Sequence, residues 1–177
     1  MARLGVRRTC AGILATGVVL LSGCALWQGS GRSDTPGPGK PVALQVCLAT
    51  PDARAGYRAL RDEEGQVLFA ARDPLLTEAD VLAAGTLISE LRSLVRIEFA
   101  PPAADLLERA TAEHIGDRLA IFIDGRLVMS PPVRGSITTG KVLLDGNFTP
   151  AEAARIARGL TRGGAAAREA AASRPAP

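Results

Sequence analysis

Short apolar runs recur along the chain, and their spacing predicts several strands and two main helices. Val42-Ala43-Leu44-Gln45-Val46-Cys47-Leu48 reads as a strand, and residues 66–71 give a second. Pro74-Leu75-Leu76-Thr77-Glu78-Ala79-Asp80 predicts a short helix. Thr77 is its N-cap, with acidic residues facing the positive end of the helix dipole. Leu94-Val95-Arg96-Ile97-Glu98-Phe99 alternates as a half-buried strand does, and Pro101-Pro102 ends it. Residues 103–115 predict a helix with Leu106, Leu107 and Ala110 on one face. The uninterrupted run Leu119-Ala120-Ile121-Phe122-Ile123 predicts a central strand.

Asp124-Gly125 follows, and both residue types tolerate the positive φ angles of a type I′ turn. Arg126-Leu127-Val128-Met129 returns as the partner strand, and Pro131-Pro132 breaks the pattern. Lys141-Val142-Leu143-Leu144 predicts one more strand, closed by Asp145-Gly146-Asn147. Thr149-Pro150-Ala151-Glu152 has the form of a capping box, with Pro at the first helical position. The helix behind it places Ala153, Ile156, Ala157 and Leu160 on one stripe. Burying these elements against each other calls for an α+β fold: a ferredoxin-like sandwich, mostly antiparallel sheet with two main helices on one face.

The first 40 residues follow different rules. Arg3, Arg7 and Arg8 precede an apolar stretch, residues 11–21, with the length of a signal h-region rather than a membrane span. Leu21-Ser22-Gly23-Cys24 resembles the bacterial lipobox. Residues 1–23 are therefore expected to be a cleaved lipoprotein signal peptide, and Cys24 the lipidated N-terminus. Acyl chains such as palmitate anchor through about 0.8 kcal/mol per buried CH2. Ala25 rather than Asp after the cysteine favours the outer membrane where the host is diderm. Arg7-Arg8 without closely following apolar residues points to general export rather than a twin-arginine route. Residues 24–41, rich in Gly, Pro and Ser, read as a flexible tether. Residues 42–162 are the expected domain, and 163–177 an Ala/Pro-rich disordered tail.

Charge narrows the function. The leader holds three of the 21 basic residues, leaving 18 against 18 acidic ones. Without a basic stripe no nucleic-acid partner is expected. Three cysteines, one lost with the leader and one acylated, leave Cys47 without a disulfide partner, as a small buried hydrophobe. One histidine and no cysteine cluster offer no metal or cofactor site.

From about residue 66 to 162 the chain resembles the head subdomain of the first periplasmic domain of SecD and SecDF, components that assist bacterial protein export. The resemblance runs through Ala110-Thr111-Ala112-Glu113-His114-Ile115-Gly116-Asp117-Arg118-Leu119-Ala120-Ile121-Phe122-Ile123-Asp124-Gly125. It continues in Ser130-Pro131-Pro132-Val133, Ile137-Thr138-Thr139-Gly140 and Gly146-Asn147-Phe148-Thr149-Pro150-Ala151-Glu152-Ala153. It places Asp124, Gly125, Pro132, Gly140, Gly146, Asn147 and Phe148 on the family motif, all with structural roles in turns, close approaches and a helix start. His114 stands where the family usually has Asn. The family's transmembrane bundle has no counterpart here, so proton-driven translocation is not implied.

Asp124 as a base, with Thr111 or Ser130 as nucleophile, lacks the supporting base and orienting group that such chemistry needs. The cluster Arg58, Arg61, Asp62, Glu63 and Glu64 reads as a solvated loop. The expectation is a non-enzymatic, lipid-anchored binding module for exported polypeptide or an envelope protein, with no catalytic residues. An exposed sheet edge beside residues 94–99 or 141–144 would take an extended chain. A structural or assembly lipoprotein with one folded partner is the alternative, and an envelope hydrolase the remotest one.

Overall fold

The computed structural model describes residues 41–89 and 92–173. The expected leader, Cys24 and the tether up to residue 40 lie outside these residues. The strands are β1 (Leu44–Thr50), β2 (Tyr57–Arg61), β3 (Val67–Ala71), β4 (Leu76–Thr77), β5 (Val81–Ser89), β6 (Arg92–Phe99), β7 (Arg118–Ile123), β8 (Arg126–Met129) and β9 (Lys141–Phe148). The helices are α1 (Pro101–Glu113) and α2 (Pro150–Ala172).

Every strand pairing is antiparallel, and the strands divide between two sheets. The larger runs β2-β3-β1-β7-β8, with β4 also paired to β1. The smaller runs β5-β6-β9. The α+β class, the antiparallel strands and the two main helices are those expected, with two sheets in place of a single layer.

Strand periodicity explains the core. Leu44 and Val46 of β1 and Leu119, Ile121 and Ile123 of β7 join Val95, Ile97, Leu107, Leu144, Ile156 and Leu160 in the main core. The intervening residues, Cys47, Ala49, Ala120 and Phe122, pack with Ala70 on the opposite face in a smaller cluster. Central strands buried on both faces read as continuous apolar runs. Cys47 is buried there, and burial pushes its thiol pKa up, partly opposed by the Arg58 charge.

Local chemistry fixes the connections. Asp124 and Gly125 both take positive φ, 50° and 79°, and close the β7–β8 hairpin with Ile123 opposite Arg126. The Thr149 hydroxyl accepts from Glu152 N at 3.2 Å, while Glu152 Oε2 accepts from Thr149 N at 2.9 Å, so α2 opens on the expected capping box. Thr111 is fully buried; its hydroxyl donates to Leu107 O at 2.7 Å and accepts from Ile137 N at 2.9 Å. It pins the segment before β9 to α1.

Four expectations need correction. The short helix at Thr77 is one 3-10 turn, Glu78–Asp80, capped by Thr77 as expected. The chain continues from it into β5, a strand that the sequence pattern does not announce. Asp145-Gly146-Asn147 does not close β9; it lies inside the strand, at an irregularity in the pairing with β6 between Ser93 and Val95. Helix α2 does not end in a frayed tail at Gly163-Gly164 but runs to Ala172. Both glycines face close neighbours: Gly163 lies against the Glu78 side chain and Gly164 against the Val81 carbonyl. Their missing side chains let the helix lie close to the 3-10 turn and to β5.

The charged cluster near residue 60 is also more ordered than a solvated loop. Arg58 stacks over the Phe122 ring, 4.5 Å from its centroid. The Asp62 side chain is 1% exposed, and its Oδ1 accepts from Glu64 N and Gln66 N at 3.1 and 2.7 Å. Arg118 stands 3.9 Å from its other oxygen.

Candidate functional site

The motif residues hold the fold together. Asp124 Oδ1 accepts from Ala43 N at 3.1 Å, and Oδ2 faces Arg155 at 3.4 Å, tying the hairpin to the start of β1 and to α2. Gly140, at φ 61°, leaves room for Ala104 of α1. Gly146 admits Val128 of β8 on one side and the Phe148 ring on the other. Asn147 takes φ 51°, Phe148 packs against the main core, and Pro132 bridges to Arg118. Asp124, Gly146, Asn147 and Phe148 do meet, on the rim of a cleft of about 530 Å3 that also contains Glu152 and Arg155.

That cleft holds no poised acid and base. Asp124 is paired with Arg155, and Glu152 is held by Thr149, whose N–H and O–H keep its carboxyl below the usual range. His114 ends α1 and bonds Asp117 Oδ2 at 3.0 Å. Among the described residues no cluster of three or more His, Cys, Asp or Glu could hold a metal ion.

The sheet edges offer a different kind of site. The edge expected beside residues 94–99 is occupied, because β6 is central and bonded on both sides. The edge of β9 is approached by β8, whose Val128 meets Gly146. Edge strands β2, β8 and β9 each carry charged residues, a common guard against unwanted pairing. Strand β5 does not: Val-Leu-Ala-Ala-Gly-Thr-Leu-Ile-Ser spans nine residues without a charge.

Helix α2 covers the first half of the β5 edge. Ala84 N donates to Thr161 Oγ1 at 3.0 Å, and the single Thr161 hydroxyl proton is shared between Ala157 O at 3.0 Å and Ala84 O at 3.3 Å. Arg168 donates to Val81 O at 2.6 Å and to Leu82 O at 3.5 Å. Since the Ala84 backbone groups point away from β6, the two-residue period aims those of Thr86 and Ile88 the same way. Beyond Ala84 the edge is open, and it ends in Leu87 and Ile88, 45% and 75% exposed. A groove of about 500 Å3 runs between this edge and α2, lined by Ala84, Gly85 and Thr86 and by Ala154, Ala157, Arg158, Thr161 and Arg162. Sequence reasoning missed it because β5 lacks both alternation and β-branched density. The available signal was the absence of charge between Val81 and Ser89.

No helix among the described residues is long and apolar enough to cross a membrane. The SecDF P1 head subdomain model matches residues 54–167. The protein translocase subunit SecDF of Thermus thermophilus is 36% identical over 114 residues, 62% of this chain and 16% of the subunit. The SecD subunit of Rhodobacter capsulatus is 31% identical over 136 residues, 75% of this chain and 22% of the subunit. The chain thus spans less than a quarter of these relatives. A solved structure of SecDF, described as a membrane component that enhances protein export, superposes with a TM-score of 0.56 at 25% identity, over 70% of this chain and 63% of the other. A SecDF structure in a super-membrane-facing form gives 0.55 at 26% identity, over 70% of this chain and 19% of the other. The family is that of a protein-translocation component, not of an enzyme. By the match over residues 54–167, this chain belongs to the SecDF P1 head subdomain family.

Proposed function

We propose that the chain is a lipid-anchored, extracytoplasmic binding module that holds extended segments of exported polypeptide on the open edge of β5. The observation that carries this reading is the uncharged edge strand whose outward backbone groups, beyond Ala84, have no cover from α2. An added strand would satisfy those groups through its own backbone, which asks little of the client's sequence and suits a binder of many polypeptides. Diacylated Cys24 would hold the module at the membrane surface, facing the periplasm, and at the outer membrane in a diderm host. The link to export rests on kinship with translocase subunits.

Photo-crosslinkers placed at Ile88 and, as a control, at Lys141 in cells test the reading. Ile88 is expected to trap a broad set of exported polypeptides in the membrane fraction, and Cys24→Ser to release the module from that fraction. A single folded partner at discrete stoichiometry would instead identify an assembly lipoprotein. A Cys24→Ser protein that stays membrane-bound would remove the anchor.

A further inference from the structure

The groove beside β5 has a charge preference written into its wall. Arg158 and Arg162 lie one helical turn apart on α2, and both line the groove. The ion pairs made by arginines among the described residues involve Arg54, Arg92, Arg118 and Arg155, so neither groove arginine has an acidic partner there. Arg162 Nε donates only to the backbone oxygen of Arg158, at 3.3 Å. Like charges four residues apart disfavour a helix, and no carboxylate sits within a turn of this pair to offset them. On the facing wall is bare backbone: a side chain at Gly85 would meet no atom within 4 Å, so a ligand can come up against the strand itself.

We propose that the β5–α2 groove selects extended polypeptide segments carrying an acidic side chain on the face turned toward α2. The proposal rests on strand addition to β5 and adds a selection rule to it. Alternate residues of an added strand face the same side. One would lie over Ala154 and Ala157, where only small or flexible side chains bring the backbone into bonding range. Its neighbour two positions along would put a carboxylate between Arg158 and Arg162, whose planar guanidinium groups match a carboxylate's two oxygens. The attraction is partly exposed, so it weakens as salt is added.

The test uses the full chain and one alternating apolar peptide in three versions, with Asp, Asn or Lys at the groove-facing positions. Binding is followed by fluorescence anisotropy. The Asp peptide is expected to bind about tenfold more tightly than the Lys peptide, the sum of two modest surface pairs and one repulsion removed. The order reverses in the Arg158→Glu/Arg162→Glu double variant. Thr86→Pro abolishes binding of all three, because it removes an N–H that points outward and serves no bond to β6. Ile88→Pro probes the same edge should Thr86→Pro not fold. Equal binding of the three peptides, lost in Thr86→Pro, would overturn the acidic preference and leave strand addition standing. An Asp preference that survives both proline variants would overturn strand addition and the proposal with it. A dimer that dissociates in Thr86→Pro and excludes peptide would make a second copy of the chain the occupant and overturn the proposal.

Discussion

Gly163 and Gly164 are adjacent in one helix, yet a methyl group would have opposite effects at the two positions. At Gly164 it would collide with the carbonyl of Val81, which belongs to β5 and cannot turn aside. At Gly163 it would lie 3.1 Å from Glu78 Cγ and 3.3 Å from Cβ, contacts relieved by a few tenths of an ångström of movement in a side chain whose carboxylate accepts from Leu44 N at 3.0 Å. Replacing glycine by alanine inside a helix gains about 0.5–1 kcal/mol from backbone entropy. Overpacking against fixed structure costs about 1–3 kcal/mol, so the collision wins at Gly164 and the entropy wins at Gly163. Gly164→Ala is expected to lower the melting temperature by several degrees, and Gly163→Ala to leave it unchanged or raise it slightly. Circular dichroism melts of the two variants decide the matter; equal melting would mean that α2 does not rest on β5. Sequence gave only the residue type at these positions. A Gly-Gly pair breaks most helices, and here the close strand, invisible in a linear pattern, reverses that reading.

Among the elements, α2 and the β7–β8 hairpin were legible, because each is specified by chemistry within a few residues. Asp124-Gly125 supplies two positive φ angles, and Thr149 and Glu152 bond each other's backbone. The same capping box carries a pH dependence. Thr149 holds the Glu152 carboxyl below its usual pKa, first through its backbone N–H and then through its hydroxyl, so the stabilisation is present at neutral pH and is lost as pH falls through that lowered value. Thr149→Ala is expected to cost about 1 kcal/mol at neutral pH. Its deficit relative to the parent should shrink in urea titrations carried out well into the acid range, whereas a pH-independent deficit would mean that the bond from the hydroxyl to the carboxylate contributes nothing. Strands β2 and β5 were not legible. In β2 the pattern is hidden by arginines, of which Arg58 uses its charge to cover Phe122 rather than to face water. In β5 the Ala-Ala-Gly sequence has little strand preference of its own, and pairing with β6 together with the Thr161 and Arg168 bonds imposes the conformation. Of the two places expected for strand addition, residues 94–99 offer no edge: β6 has the clearest alternation because it is central. Residues 141–144 do lie on an edge strand, β9, which carries Lys141 and is approached by β8.

The described residues as a whole behave as two antiparallel sheets sharing one main core, with a second small cluster behind β1 and β7. Cys47 sits in that second cluster as the expected small buried hydrophobe. Apart from the two-residue β4, the edges among the described residues are handled unequally: three carry charge, one is partly sheathed by a helix, and the bonds from Thr161 and Arg168 mark how far the sheath reaches. The last turns of α2 therefore do more than prolong a helix. Clip the polypeptide after residue 162, by protease or by a stop codon, and the carbonyls of Val81 and Leu82 lose their guanidinium cover, leaving Thr161 at Ala84 as the one remaining bond from α2 to the uncharged ribbon. Such shortened molecules should zip together edge to edge and polymerise, scattering light and binding amyloid dyes, while the intact protein remains dispersed. A clipped form that stays monomeric would mean that this C-terminal cuff contributes nothing to solubility.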